Sequence, residues 1–299
     1  MLTIFTVARP FQGHFDIIQR NAIASWTLLR PRPEIILFGD EAGTGPVAAE
    51  LGVRHLPTIA RNEFGTPLLN DVLAQANRWA ANNLLCFVAA DIILLGEMID
   101  AANAVAKRLD KFLVVARRIN VDVKEPLHFD PGWEGPFREQ FVVHGLLAPP
   151  ACHDIFVFPK GTFIDVPPFA IGRPWTDHWV IKAARKGKVP IVDVTACTPI
   201  IHQNHDYSNV EGGRDAIWRS EETQRNLKLY GKFIHNFTMA DATYQLLPGG
   251  VLRGKIPERT LYSVQSVLWE LLIQKTFPLR KRLGLRRENW RRIILGKQA

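Results

Sequence analysis

Residues 84–95, Leu-Leu-Cys-Phe-Val-Ala-Ala-Asp-Ile-Ile-Leu-Leu, restrict the possible folds of this chain most tightly, because they form an apolar run broken by one carboxylate, Asp91. A run this apolar and this short reads as a strand buried on both faces, as in the middle of a parallel sheet. An ionised carboxylate in such surroundings costs several kcal/mol unless a cation or hydrogen-bond donors compensate it. Asp91 therefore either caps the turn that follows or stands at a strand end where a metal or a phosphate-bearing ligand sits, as in open α/β sheets.

The flanking sequence supplies the rest of such a sheet. Residues 3–7 alternate at strand period, Pro10 to Gly13 break the pattern, and apolar residues from Ile17 to Leu28 recur at helical spacing. Residues 34–40 give a second buried strand ending in Gly39-Asp40, residues 46–52 a short helix stopped by Gly52, and residues 53–56 a third strand. A loop over 61–67 leads into a helix over 68–82 and then to the Asp91 strand. Right-handed crossovers between parallel strands gather the strand ends, with Asp40 and Asp91, on one edge. The second half reads as a strand over 112–118, a loop rich in Pro, His and Trp over 121–150, and a strand over 154–159. A helix then runs from Thr176 through Lys186, and a strand over 189–201 opens into a polar loop bearing His202 and His205.

With 299 residues, 47% of them apolar, the chain can bury a sizeable core, which excludes disorder as its main state. Arg9-Pro10 stops the apolar start too early for a secretory signal, and no uncharged apolar run approaches membrane-spanning length, so a cytoplasmic protein is expected. Cys86, Cys152 and Cys197 are odd in number and lack metal-ligand spacing, which suits buried reduced thiols. The net charge of +8 has a single source, since residues 275–299 hold nine Lys/Arg against Glu288 alone and the body is neutral. A neutral body without a basic patch argues against a nucleic-acid partner.

The order of these features resembles the GT-A fold of nucleotide-sugar glycosyltransferases over roughly residues 1–213: first strand, Gly-Asp strand, Asn-x-x-Gly loop, acidic strand end, acidic helix start, late His. The phrases IQRNAIASW (18–26), ILFGDE (36–41), NEFGTPLL (62–69), ADIIL (90–94), PPFAIGR (167–173) and IHQNHDY (201–207) are similar to those of a group of bacterial glycosyltransferase-like proteins. The resemblance implies a Rossmann-like, mostly parallel α/β sheet flanked by helices, with a catalytic domain over 1–254 and a helical, basic amphipathic extension over 255–299.

It also implies roles for particular residues. In the family the acidic strand end is Asp-x-Asp, whose last Asp binds a divalent cation bridging the donor diphosphate. Here the triplet is Ala89-Ala90-Asp91, so Asp91 alone carries over, with Mn²⁺ or Mg²⁺ as the cofactor and His202 or His205 as a further ligand. Thr6, Asp40, Asn62, Gly65, Thr66, Ala90, Asp91 and Arg117 are the expected donor-binding set. Asn62, Gly65 and Thr66 precede a helix start, where free N–H groups suit a diphosphate, and Thr66-Pro67 also reads as N-cap and first helical residue. Asp177, at the start of its helix, matches the general base of inverting members, and the flanking Trp175 and Trp179 suit stacking on an acceptor sugar. A first-turn partner of the helix dipole is the other reading of Asp177, with both Trp in the core. Asp241-Ala242-Thr243 has no role readable from sequence.

In the tail, Leu261, Val264, Leu268, Leu271 and Leu272 fall on one face of a helix over 259–275, and a second segment interleaves apolar and basic residues. Such a helix binds anionic membrane surfaces or packs on the body, and the first reading holds the protein peripherally at the inner face of the membrane. The expected activity is metal-assisted, inverting transfer of a sugar from a nucleoside-diphosphate donor to a hydroxyl of a glycan or lipid-linked acceptor. A non-catalytic sugar-nucleotide or glycan-binding relative is the alternative.

Overall fold

The computed structural model describes residues 1–206, 212–231 and 236–257, and the chain divides into a unit Met1–Lys255 and a unit Ile256–Ala299. The amphipathic tail and its helix over 259–275 lie outside the described residues. The strands are β1 Leu2–Val7, β2 Glu34–Phe38, β3 Arg54–Leu56, β4 Leu84–Val88, β5 Ile92–Leu94, β6 Leu113–Val115 and β7 Arg118–Val121. They continue as β8 Leu146–Leu147, β9 Ile155–Pro159, β10 Ile191–Asp193, β11 Ile200–Gln203, β12 Tyr244–Leu247 and β13 Val251–Gly254. The helices are α1 Gly13–Leu28, α2 Thr44–Leu51, α3 Leu69–Trp79, α4 Glu97–Ala106, α5 Glu134–Phe137, α6 Thr176–Lys186, α7 Gly213–Arg219 and α8 Glu221–Tyr230.

Among the described residues, nine strands form one sheet in the order β13-β12-β10-β6-β9-β4-β1-β2-β3. It is the mixed, mostly parallel α/β sheet expected from sequence, with β9 and β13 antiparallel to their neighbours. Successive residues of each strand point to opposite layers. Ile4, Cys86, Val157 and Val114 pack with Ala22, Ile23 and Trp26 of α1 and Met98 and Val105 of α4. Phe5, Leu85, Phe156 and Leu113 pack with Val72, Leu73 and Ala76 of α3 and Val180, Ile181 and Ala184 of α6. Each such fully buried aliphatic or Phe side chain stabilises the fold by about 1.5–3 kcal/mol.

The single strand expected over the Asp91 run is two strands. The chain turns at Ala89-Ala90-Asp91, closed by Ile92 N–H to the Ala89 carbonyl at 3.1 Å. The second half, β5, joins a four-stranded sheet of order β5-β11-β7-β8. The expected strands over 112–118 and 189–201 split in the same way, into β6 and β7 and into β10 and β11. Each apolar run is thus shared between two sheets, and hydropathy alone does not mark the crossing.

Helix α1 fixes the second sheet to the first. Trp26 Nε1–H donates to the Ile92 carbonyl at 2.8 Å, and Ser25 Oγ accepts the Leu94 N–H at 3.2 Å. Asp241 closes a capping box with Thr238, and Thr243 Oγ1 accepts the Ile191 N–H, which gives the 241–243 segment a structural function. Cys86 is buried as expected, whereas Cys152 and Cys197 are only partly so.

Candidate active site

The parallel strands β1, β2, β4 and β6 point their carboxyl ends to one edge. Because β9 runs against β4, pairing Val88 with Ile155, its entry residues His153 and Asp154 reach the same edge, and Ala89 N–H donates to the Asp154 carbonyl at 3.0 Å. Strand β11 delivers His202 and the following His205 to the turn after β4. Asp91, His202 and His205 form a group whose ligand atoms all lie within 4.8 Å of one another. His205 Nε2 is 3.2 Å and His202 Nε2 3.8 Å from Asp91 Oδ2.

The donor set fits a divalent cation on two observations. Asp91 Oδ1 and His202 Nδ1 are buried without a hydrogen-bond partner, which is costly unless something else meets them. Two imidazoles and one carboxylate suit Mn²⁺ and other first-row ions and are a poor set for Mg²⁺. Burial alone acts to raise the Asp91 pKa, but the His205 hydrogen bond and the positive field of His202, His205 and Arg9 outweigh it, so Asp91 is held below the usual carboxylate range. Burial lowers the His202 pKa despite Asp91, which favours the neutral imidazole that ligation needs. For His205 burial also acts downward, but Asp91 wins and the pKa rises.

The backbone under Asp91 is held by a buried amide. Gln203, fully buried, donates through Nε2 to the carbonyls of Ile18 at 2.7 Å and Asp91 at 3.1 Å and accepts from Asn21 Nδ2 at 3.1 Å. On the other side Arg9 lies 4.8 Å from the Phe15 ring centroid, and Phe15 packs on His205.

Arg118 and Asp177 complete the edge. Burial acts to lower the Arg118 pKa, but Asp154, 2.8 Å away, raises it, and Asp91 adds to the effect. Asp177 is exposed to water at the start of α6, with protein packed closely around it. That crowding, helped by the negative charge of Asp154 and opposed by Arg118, raises its pKa to about 7. Two residues before it, Trp175 has φ 83°, a left-handed conformation costing a non-glycine residue roughly 1–2 kcal/mol, of the kind that clusters at functional sites. Behind Asp177, buried His153 lies 5.5 Å ring to ring from His178, and burial with the His178 charge lowers its pKa to about 3.

The other expected site residues are distributed unevenly. Thr6 Oγ1 is buried near the end of β1 without a hydrogen-bond partner. Ala90 is buried in the turn beside Asp91. Asp40 is exposed at the end of β2 and paired with Arg61 at 2.6 Å. Its neighbour Gly39 has φ 94°, and a Cβ there would lie 2.3 Å from Glu41 Oε2, so the space beside the strand end is taken by the Glu41 carboxylate.

Asn62, Gly65 and Thr66 form a turn rather than a helix N-terminus. Asn62 Oδ1 accepts the N–H groups of Phe64 and Thr66, Asn62 Nδ2 donates to Glu222 at 2.7 Å, and α3 starts only at Leu69 with Leu68 as cap. The cap reading of Thr66 is therefore corrected, because two further residues bridge the turn to the helix. Arg117 donates through Nε to the Ala148 carbonyl at 2.7 Å, whereas its neighbour Arg118 pairs with Asp154 and feels the charge of Asp91. Trp179 packs on Phe163 and Phe169, and Trp175 on Tyr230 and Trp218, so both lean on protein rings. Sequence reasoning missed Arg9, His153 and Asp154. Only the reversal of β9 brings the last two to the edge, and strand spacing carries no sign of that reversal.

No protein-family model and no curated protein matches the sequence. The chain is similar in structure to nucleotide-sugar transferases. Glucosyl-3-phosphoglycerate synthase of Mycobacterium tuberculosis has 13% identity and a TM-score of 0.48, covering 87% of this chain and 92% of that one. The same enzyme with Mn²⁺ and uridine-diphosphate-glucose gives 12% identity and 0.48, covering 87% and 91%. A Desulfovibrio desulfuricans G20 protein described as a nucleotide-diphospho-sugar transferase gives 10% and 0.41, covering 77% and 97%. The likeness lies in the arrangement of strands and helices.

Proposed function

We propose that the protein is a glycosyltransferase that moves a sugar from a nucleoside-diphosphate donor to a hydroxyl acceptor with inversion. The carrying observation is the Asp91–His202–His205 group, with two unpartnered buried ligand atoms, at the carboxyl edge of a mostly parallel sheet. Asp91, His202 and His205 would hold a divalent cation, and Mn²⁺ fits them best. When bound, that ion supplies positive charge against the donor diphosphate.

The chain's own residues account for the rest of the chemistry. The acceptor oxygen bonds to the anomeric carbon, the bond from that carbon to the diphosphate oxygen breaks with its electron pair leaving on the diphosphate, and the acceptor proton passes to Asp177. A base with a pKa near 7 is half ionised at neutral pH, which balances availability against strength. Arg9 and Arg118 place positive charge at the edge that receives the diphosphate. Thr6, Ala90 and the Gly39-Asp40 strand end give the nucleoside a wall. Asn62, Gly65 and Thr66 act by shaping the loop beside it, since their polar atoms are engaged internally. The tuned Asp177 favours turnover over mere sugar-nucleotide binding.

The basic tail suggests attachment to an anionic membrane surface, which suits a lipid-linked acceptor. Among the described residues no helix is long and apolar enough to cross a membrane.

The test is thermal denaturation with a panel of nucleoside diphosphates, with and without Mn²⁺. Stabilisation by a diphosphate should be larger with Mn²⁺, and Asp91→Ala should remove the difference. A metal-dependent shift that survives Asp91→Ala would refute the assignment.

A further inference from the structure

Residues 122–141 of the loop over 121–150 line an open pocket of about 570 Å³ that the chemistry above does not use, within the size range of small-molecule sites. Its floor is aromatic: Trp133 packs on Phe129 at 4.8 Å and Phe137 at 5.4 Å, and Phe137 on Phe141 at 5.2 Å. Trp133, Phe137 and Phe141 pack with Ile93, Val121 and Ile201 of the second sheet. One wall is a π-helical turn, Arg138–Val142, a geometry that recurs at functional sites and here places Gln140 and Phe141 in the lining.

Two hydrogen-bonded links join this cavity to the metal-binding group. Asn204, between His202 and His205 in the chain, donates through Nδ2 to Asp122 at 2.8 Å, and Asp122 lines the cavity. Asn21, which donates to Gln203, accepts the N–H of Leu127 at 2.8 Å and donates to the Glu125 carbonyl at 3.2 Å. Both 125 and 127 are lining residues.

The lining selects the ligand class. Carboxylates Asp122, Glu125 and Asp130 outnumber the single cation Lys124, so a diphosphate or an anionic headgroup is repelled. An aromatic floor under exposed carboxylate, amide and imidazole groups, those of Asp130, Gln140 and His128, matches an uncharged sugar, which offers an apolar ring face and hydroxyls on its rim. We propose that this cavity is a subsite for a neutral saccharide, holding a sugar unit of the acceptor next to the metal-binding group. This assignment rests on the glycosyltransferase reading and names the acceptor class for it.

The experiment uses the full chain. A panel of neutral and anionic oligosaccharides is screened by saturation-transfer NMR, and the best ligand is titrated against wild type, Trp133→Ala, Trp133→Phe and Asp130→Asn. Mn²⁺-dependent binding of a nucleoside diphosphate is measured on each protein in parallel. Wild type should bind a neutral saccharide. Trp133→Ala and the exposed-site change Asp130→Asn should each weaken it tenfold or more, Trp133→Phe should keep most of it, and diphosphate binding should stay unchanged in all. Saccharide binding indifferent to Trp133→Ala and Asp130→Asn, a preference for anionic ligands, or no saccharide binding beside normal diphosphate binding would each overturn the subsite alone. Loss of Mn²⁺-dependent diphosphate binding by the wild type would overturn the parent reading instead.

Discussion

Replacing Asp177 by Asn separates a catalytic base from a structural carboxylate, and the structure gives the change two signatures. The side chain keeps its size and one oxygen acceptor but can no longer take a proton, so turnover should fall about 10²–10⁴-fold, the worth of a positioned base. With the pKa at about 7, wild-type turnover should rise with pH through that value, because roughly a tenth of Asp177 is ionised one unit below it and nine-tenths one unit above. The variant should lose this inflection.

Stability carries the second signature. The folded-state pKa lies above the unfolded value of about 3.9, so the native state binds the proton more tightly. That contribution is complete below about pH 4 and is lost as pH rises through about 7. Since the carboxylate reaches water, the loss is small, but its sign is fixed: Asn, which never ionises, should raise stability at neutral pH relative to acid pH. The assay is release of nucleoside diphosphate from a responsive donor–acceptor pair across that range, with urea denaturation at its two ends and calorimetric titration of diphosphate with Mn²⁺. Diphosphate affinity should hardly change. Near-normal turnover by Asp177→Asn, or an unaltered inflection in its pH profile, would refute the role of Asp177 as base.

Two other outcomes are expected. Gln203→Leu strips hydrogen-bond partners from the carbonyls of Ile18 and Asp91 and from Asn21, so urea denaturation should show a loss of about 1–3 kcal/mol, and Mn²⁺ affinity by calorimetry should fall about tenfold or more; unchanged affinity would show that Asp91 needs no such support. Deleting residues 275–299, with their nine cations, should release the protein from anionic vesicles at moderate salt while leaving turnover of soluble substrates intact, and equal vesicle binding by both forms would sink the membrane reading.

The sequence by itself marked most strands of the main sheet and helices α1, α2, α3 and α6, because burial on both faces leaves continuous apolar runs and amphipathic helices leave periodic ones, but it did not mark α4, β12 or β13. Helix α6 over Thr176–Lys186 starts and ends where its residues indicate. Asp91 stood out because a carboxylate in an apolar run needs a partner, and His202 and His205 were its expected co-ligands. Tertiary structure alone decided where those runs divide. The turn after Val88 passes residues from one sheet to another without a change in hydropathy, and pairing in space alone set the second sheet that carries His202 to Asp91. It also decided that β9 runs antiparallel, which brings His153 and Asp154 to the reactive edge from the beginning of a strand. That Arg118 rather than Arg117 meets Asp154 was also decided by the fold, in which the Arg117 guanidinium is held by the Ala148 carbonyl. The ionisation of Asp177 likewise depends on Asp154 and Arg118, distant in sequence, because crowding and through-space charge arise only when the chain is folded.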